Sequence, residues 1–110
     1  MYSAGILPFT YYKGHTYILL GRGRGDGTWS DFGGMYEERN DKSIICTAIR
    51  EFYEETIGSV VDISFLKRSF QKKKFLKIES ESLKKRPYYM FLLYIPFKNY
   101  SVTFRKTLSF

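Results

Sequence analysis

Three glutamates fall close together in the segment Arg50-Glu51-Phe52-Tyr53-Glu54-Glu55. On an α-helix each residue advances ~100°, so with Glu51 at zero, Glu54 falls near ~300° and Glu55 near ~40°. The three carboxylates then share one side of a helix. Ile44, Ile45, Ala48, Ile49 and Phe52 recur at helical spacing and form an apolar face. That face centres roughly 90° from Glu51, so the acidic stripe borders the core at the rim of a cleft. Like charges at these spacings weaken a helix by about 0.3 kcal/mol per pair. Two of them also lie near the helix C-terminus, where the dipole disfavours anions. A hard divalent cation with oxygen ligands would offset both effects. Taken alone, the spacing suits a solvated acidic face equally well.

The surroundings favour the cation. Trp29-Ser30-Asp31-Phe32 reads as a short extended piece running into Gly33-Gly34, ahead of the helix. A glycine there allows close backbone approach, so its carbonyl can join a metal shell. The helix itself is expected over residues 42–56, with Asp41 or Ser43 as N-cap and Gly58 as stop signal.

Other elements must hold this helix and the glycine turn in place. Ser3–Tyr12 and His15–Gly21 read as a β-hairpin around Lys13-Gly14. Gly21–Gly27, GRGRGDG, reads as a loop, and without a following Gly-Lys-Ser/Thr it is no Walker P-loop. Ser59–Leu66 reads as a strand. Residues 67–86 read as a basic, polar stretch with one irregular strand at Phe75–Ile78. Tyr88–Phe97 reads as a strong central strand, and residues 102–110 as the start of a second helix. No repeat or domain boundary interrupts the 110 residues, which suit one domain.

The chain resembles the Nudix hydrolase family. The second half of that family's box, Arg-Glu-apolar-x-Glu-Glu, is matched by Arg50-Glu51-Phe52-Tyr53-Glu54-Glu55. Trp29-Ser30-Asp31-Phe32-Gly33-Gly34 is similar to its aromatic-Gly-Gly lead-in, and SAGILPF with YILLGR to its first hairpin. The flavour is similar to Nudix proteins of large DNA viruses. The resemblance implies an α+β fold, a mixed β-sheet packed between helices as an α/β/α sandwich, with the C-terminal helix missing or cut short. It further implies Mg²⁺ (or Mn²⁺) on Glu54, Glu55 and Glu51, with the Gly34 carbonyl completing the shell. Glu51 would serve as ligand or general base, and Arg50 would orient a carboxylate. The expected activity is hydrolysis of a pyrophosphate bond in a nucleoside diphosphate linked to a second moiety, with mRNA 5′ caps among the substrates.

The match has departures. Gly34 to Arg50 spans two positions more than the box, and its first acidic position falls on Lys42. Asp41, Glu38 and Glu37 are the candidates to replace that acid as partner of Arg50. Family members recruit a further acid from a later loop, for which Asp62, Glu79 and Glu81 remain, with Glu79 or Glu81 preferred.

Charge and composition bound the partners. The chain carries a net +7, made of −3 over residues 1–66 and +10 over residues 67–110. Such a division suits an anionic partner, a nucleotide or capped RNA, or else a solvated lysine surface. Arg22 and Arg24 flank the glycine loop and could clamp substrate phosphates. Lys73 belongs to the run Lys72-Lys73-Lys74, interleaved with Phe70 and Phe75, a mixture that suits single-stranded RNA. One cysteine, Cys46, and one histidine, His15, leave no room for an internal disulfide, a zinc cluster or a histidine-rich site. A reducing cytoplasm, that of a host cell if the source is viral, is the expected compartment. No apolar run is long enough to span a bilayer. Many Nudix proteins pair as homodimers, and the same is the expectation by analogy here. The competing reading is a non-catalytic basic module that binds RNA or nucleotide on a degenerate Nudix fold.

Overall fold

The computed structural model describes residues 1–22, 29–56, 60–81 and 85–97. β1 (Ser3–Tyr12) and β2 (His15–Ile18) form the expected hairpin. Its two-residue turn places Lys13 at φ 50° and Gly14 at φ 79°. Positive φ at both central residues gives the turn a twist that matches the strands it joins. β3 (Gly21–Arg22) and β4 (Trp29–Ser30) pair as a small separate ribbon. β5 (Phe32–Met35) follows directly, then the helix α1 (Ile44–Thr56).

β1 organises the main sheet. One edge is divided lengthwise, Phe9–Tyr12 pairing with β2 and Ser3–Ile6 with β5, both antiparallel. The other edge runs parallel to β7 (Pro87–Tyr94), and β7 pairs antiparallel with β6 (Phe75–Glu81). The order is β2-β1-β7-β6 with β5 beside β1, so β7 is interior, as its apolar sequence requires. The sheet is mixed and the class is α+β, as expected.

The core lies on one face of this sheet. Ala4 and Ile6 of β1 and Phe91 and Leu93 of β7 alternate toward it. Ala48, Ile49 and Phe52 of α1 cover β1 and β5, and Phe52 meets Phe32 edge-on at 5.3 Å. Ile44 and Ile45 are partly buried against the same core, as their helical spacing demands. Leu66 and Phe70 close the same face over β7, with Phe70 edge-on to Phe91 at 5.2 Å. Both described helices thus bear on one side. Residues 98–110, where the further helix is expected, lie outside the described residues. No helix among the described residues is long and apolar enough to cross a membrane.

Two expectations fail here. The strand expected over Ser59–Leu66 does not form in its described part, residues 60–66. Val60 is buried in the core, and α2 (Ile63–Gln71) begins three residues later. Asp62 caps it, its carboxylate accepting the Phe65 N–H at 2.8 Å. The β-branched pair Val60-Val61 suggests a strand, but the spacing of Leu66 and Phe70 is helical and the packed face decides. The stretch 67–86 is likewise less irregular than expected. It holds the second half of α2 and a seven-residue β6 reaching Glu81. α1 starts at Ile44, with the Ser43 hydroxyl accepting the Cys46 N–H at 3.1 Å. Ser43 is therefore the cap, and Asp41 is left for another role.

Candidate active site

α1 crosses the edge of the sheet at Gly33-Gly34, and the crossing is close. A Cβ on Gly34 would overlap the carboxyl of Glu51. The Gly33 N–H donates to Glu55. At Gly34 only a glycine leaves room for the helix to lay the Glu51 carboxylate onto the β5 backbone.

Arg50 is the hub of the site. Its Nε donates to Asp41 Oδ1 and its Nη2 to Asp41 Oδ2, both at 2.9 Å. Nη2 also donates to the Met35 carbonyl at 2.9 Å. Nη1 reaches Glu51 Oε1 at 2.9 Å, Glu54 at 3.2 Å and Glu37 Oε1 at 3.3 Å. A planar fork with five donors is suited to gathering several carboxylates at once. Of the three acids that could replace the one missing at Lys42, Asp41 takes the bidentate place and Glu37 an outer one. The Glu37 N–H and the Thr47 hydroxyl also donate to Asp41, and its side chain is 1% exposed. The Arg50 hydrogen bonds hold the Asp41 carboxyl down at about 2. The same contacts push Arg50 up.

Glu51 and Glu55 are both pushed up, chiefly by burial. Glu55 reaches about 7, because Glu51 and Asp31 add their negative charge nearby. Asp31 did not stand out in the sequence. It precedes β5 and accepts a 2.5 Å hydrogen bond from Tyr88 of β7, 57 positions away. The Tyr88 side chain lies across the sheet on two glycines, since a Cβ on Gly5 or on Gly33 would overlap its hydroxyl. Burial raises Asp31 as well, against the lowering effect of this bond. The available signal was the pair Gly5 and Gly33 in facing register, a path left bare for a long side chain.

The remaining candidates fall elsewhere. Asp62 is spent on the α2 cap. Glu79 pairs with Lys77 at 3.3 Å on β6, and Glu81 is exposed at the end of that strand. The acid that stands beside Glu55 is Asp31. Of Arg22 only the backbone is described, paired with Trp29, and Arg24 lies outside the described residues. Lys73 sits just past α2 at φ 55° and is exposed. His15 and Cys46 are exposed and take no part in the site.

The donor set suits a hard cation, with carboxylate oxygens and a glycine backbone side by side. As they stand, no three Asp, Glu, His or Cys side chains among the described residues converge tightly enough to hold one. The reason is visible in the geometry. Arg50 draws Glu51 and Glu54 to itself, while Glu55 turns to Gly33. Glu54, with 54% of its side chain exposed, is the most exposed of the three.

No family model matches the chain. A segment of 59 residues, 49% of the chain, is 39% identical to "Uncharacterized protein L534" of Acanthamoeba polyphaga mimivirus, of which it spans only 19%. Among solved structures, the NUDIX domain of Shewanella oneidensis NrtR complexed with ADP ribose is similar over 89% of this chain and 62% of that one, with a TM-score of 0.57 at 13% identity. A second structure of Shewanella oneidensis NrtR is similar over 82% of this chain and 40% of that one, at 16% identity and a TM-score of 0.52. Likeness at such identities concerns the backbone, and it shows that the described sheet and helices have the Nudix fold.

Proposed function

We propose that this chain hydrolyses the pyrophosphate bond of a nucleoside diphosphate linked to a second moiety, with Mg²⁺ or Mn²⁺ held by Glu51, Glu54 and Glu55 and the Gly34 carbonyl. The observation that carries the reading is the crowding of Glu51, Glu55 and Asp31 against Gly33-Gly34, with one Arg50 holding Glu51 in place. Partly buried carboxylates that repel one another are costly despite these single partners, and a cation would relieve them. The bound metal would neutralise the diphosphate and lower the pKa of attacking water. Glu55, raised to about 7 without metal, and Glu51 are the groups placed to take a proton. Arg50 acts on the carboxylates rather than on substrate, since its fork is filled by Asp41, Glu51 and the Met35 carbonyl. ADP-ribose, named with the NrtR domain, is the first compound to try.

The second reading, a binding module without turnover, draws its support from the divided carboxylates, which are not gathered on one point. One panel separates the two. The protein is incubated with Mg²⁺ or Mn²⁺ and ADP-ribose, dinucleoside polyphosphates, nucleoside triphosphates and capped RNA, beside Glu54→Gln and Glu55→Gln. Cleavage of one class that disappears in both variants supports the hydrolase. Equal turnover in a folded variant, or none in the wild type, sinks it.

A further inference from the structure

A basic feature of the surface lies away from these carboxylates. A groove of about 240 Å³ runs between α2 and the end of β7. It is lined by Phe65, Arg68, Ser69, Lys72, Lys74 and Tyr94, three cations and no acid. Tyr88 and Tyr94 belong to the same strand, so at ~3.3 Å per residue the groove sits roughly 20 Å from the Tyr88–Asp31 contact.

The three cations have no structural duty that would explain them. Among the described residues none of them is in an ion pair. Cations also collect at helix C-termini to answer the dipole and the free carbonyls. Here the backbone has already done that. The Lys72 N–H bonds the Arg68 carbonyl at 3.0 Å, Lys73 the Phe70 carbonyl at 3.1 Å, and Lys74 the Ser69 carbonyl at 3.0 Å. Lys73 takes the left-handed position that closes this motif, in the place glycine usually holds. Its neighbours Lys72 and Lys74 are thereby both set on the groove. A helix C-terminus carries roughly half a negative charge, which three cations outweigh.

Tyr94 lines the groove at the edge of the sheet, and its ring turns to the face away from α2, beside Phe9 and Tyr11. Tyr94 is 43% exposed and stacks on Tyr11, 61% exposed, at 5.9 Å and 25°. Cations on one side of the sheet edge and exposed ring faces just past it suit a single nucleic-acid strand that bends round that edge, with phosphates on the cations and bases on the rings. A duplex keeps its bases inside and gains nothing from the tyrosines. An acidic peptide or an anionic lipid surface would use the cations alone.

We propose that the groove of Arg68, Lys72, Lys74 and Tyr94 binds single-stranded nucleic acid, as a second site distinct from the carboxylate centre. It does not depend on hydrolysis at that centre.

The test is fluorescence anisotropy with a labelled oligouridylate of about twelve nucleotides, within the range of strand lengths that such grooves cover. Salt is varied from about 50 to about 200 mM. Three phosphate contacts predict a slope of log affinity against log salt near −2, at about −0.7 per contact. Arg68→Gln/Lys72→Gln/Lys74→Gln should flatten the slope and weaken binding at least about tenfold at low salt. Tyr94→Leu should weaken binding about tenfold with the slope unchanged. A matched oligodeoxyuridylate tells whether ribose matters, since only RNA offers the 2′-hydroxyl. Absence of binding, unchanged binding by the triple variant, or equal affinity for a duplex, polyglutamate or anionic vesicles overturns the proposal. If small substrates are hydrolysed, the triple variant should hydrolyse them at the wild-type rate. Loss of that activity would make the groove part of the first site and overturn its independence. A wild type that binds the strand without hydrolysing anything would contradict only the hydrolase reading.

Discussion

Arg50 grips Asp41 by both carboxylate oxygens at 2.9 Å, with 16% of the arginine side chain and 1% of the aspartate exposed. This contact ties the loop before α1 to the second turn of the helix, and it fixes the arginine that steadies Glu51. Asp41→Asn should cost about 3 kcal/mol of stability, because a partly buried guanidinium loses its bidentate carboxylate and the nearly fully buried Asp41 position loses its charge. The same pair should show in acid. The folded pKa of Asp41 is about 2 against an ordinary 3.8. The stabilisation is therefore complete above pH ~4 and lost as pH falls toward 2, and it amounts to about 2 kcal/mol. Urea unfolding at several acid pH values checks both statements. A wild type and a variant with parallel pH profiles would refute them.

Glu55 has the opposite sign. Its folded pKa, about 7, lies above the ordinary 4.5, so the folded chain holds a proton that the unfolded chain releases. Metal-free stability should fall as pH rises from 4.5 through 7, and the deficit should persist above that window. Added Mg²⁺ should raise the melting temperature more at pH 8 than at pH 5.5, as it replaces the missing proton. Glu55→Gln should be more stable than wild type at pH 8 without metal and gain less from Mg²⁺. Thermal melts at the two pH values decide. A Mg²⁺ effect identical in wild type and variant would remove Glu55 from the metal site.

The glycines offer a sharper separation of fold from site. The nearest atoms that a Cβ on Gly34 would meet belong to the tip of Glu51, a flexible end that can move. Gly34→Ala should therefore fold, yet bind Mg²⁺ on the order of tenfold more weakly, because Glu51 is displaced. A Cβ on Gly5 would come within 2.7 Å of the Gly33 Cα, which is backbone and cannot yield. Gly5→Ala should cost about 3 kcal/mol or more through overpacking between β1 and β5. Calorimetric Mg²⁺ titration and chemical unfolding of the two variants give the comparison. Gly34→Ala with wild-type metal affinity would place the cation elsewhere.

Much of this was legible in the chain itself, wherever the information is local. The period of Ile44, Ile45, Ala48, Ile49 and Phe52 placed α1 and its buried face, and the same geometry set Glu51, Glu54 and Glu55 on one side. Lys13-Gly14 marked the hairpin, and the apolar run from Tyr88 marked an interior strand. Local signals failed at Val60-Val61, where β-branched residues precede a helix chosen by the packing of Leu66 and Phe70.

Choices between distant groups were open until the fold closed. Asp41, Glu38 and Glu37 are equivalent acids in a polar loop, and only the path of that loop past α1 selects Asp41 for Arg50. Asp31 joins the site because Tyr88 reaches it across two bare glycines, a contact spanning 57 positions that no periodicity encodes. Lys72, Lys73 and Lys74 look interchangeable in a row, but a left-handed backbone at Lys73 sets the other two on the groove and leaves Lys73 outside it. Side-chain spacing along a helix follows from the chain alone, because covalent geometry repeats. Which charges meet across the sheet follows from how the layers stack, and only the tertiary structure decides that.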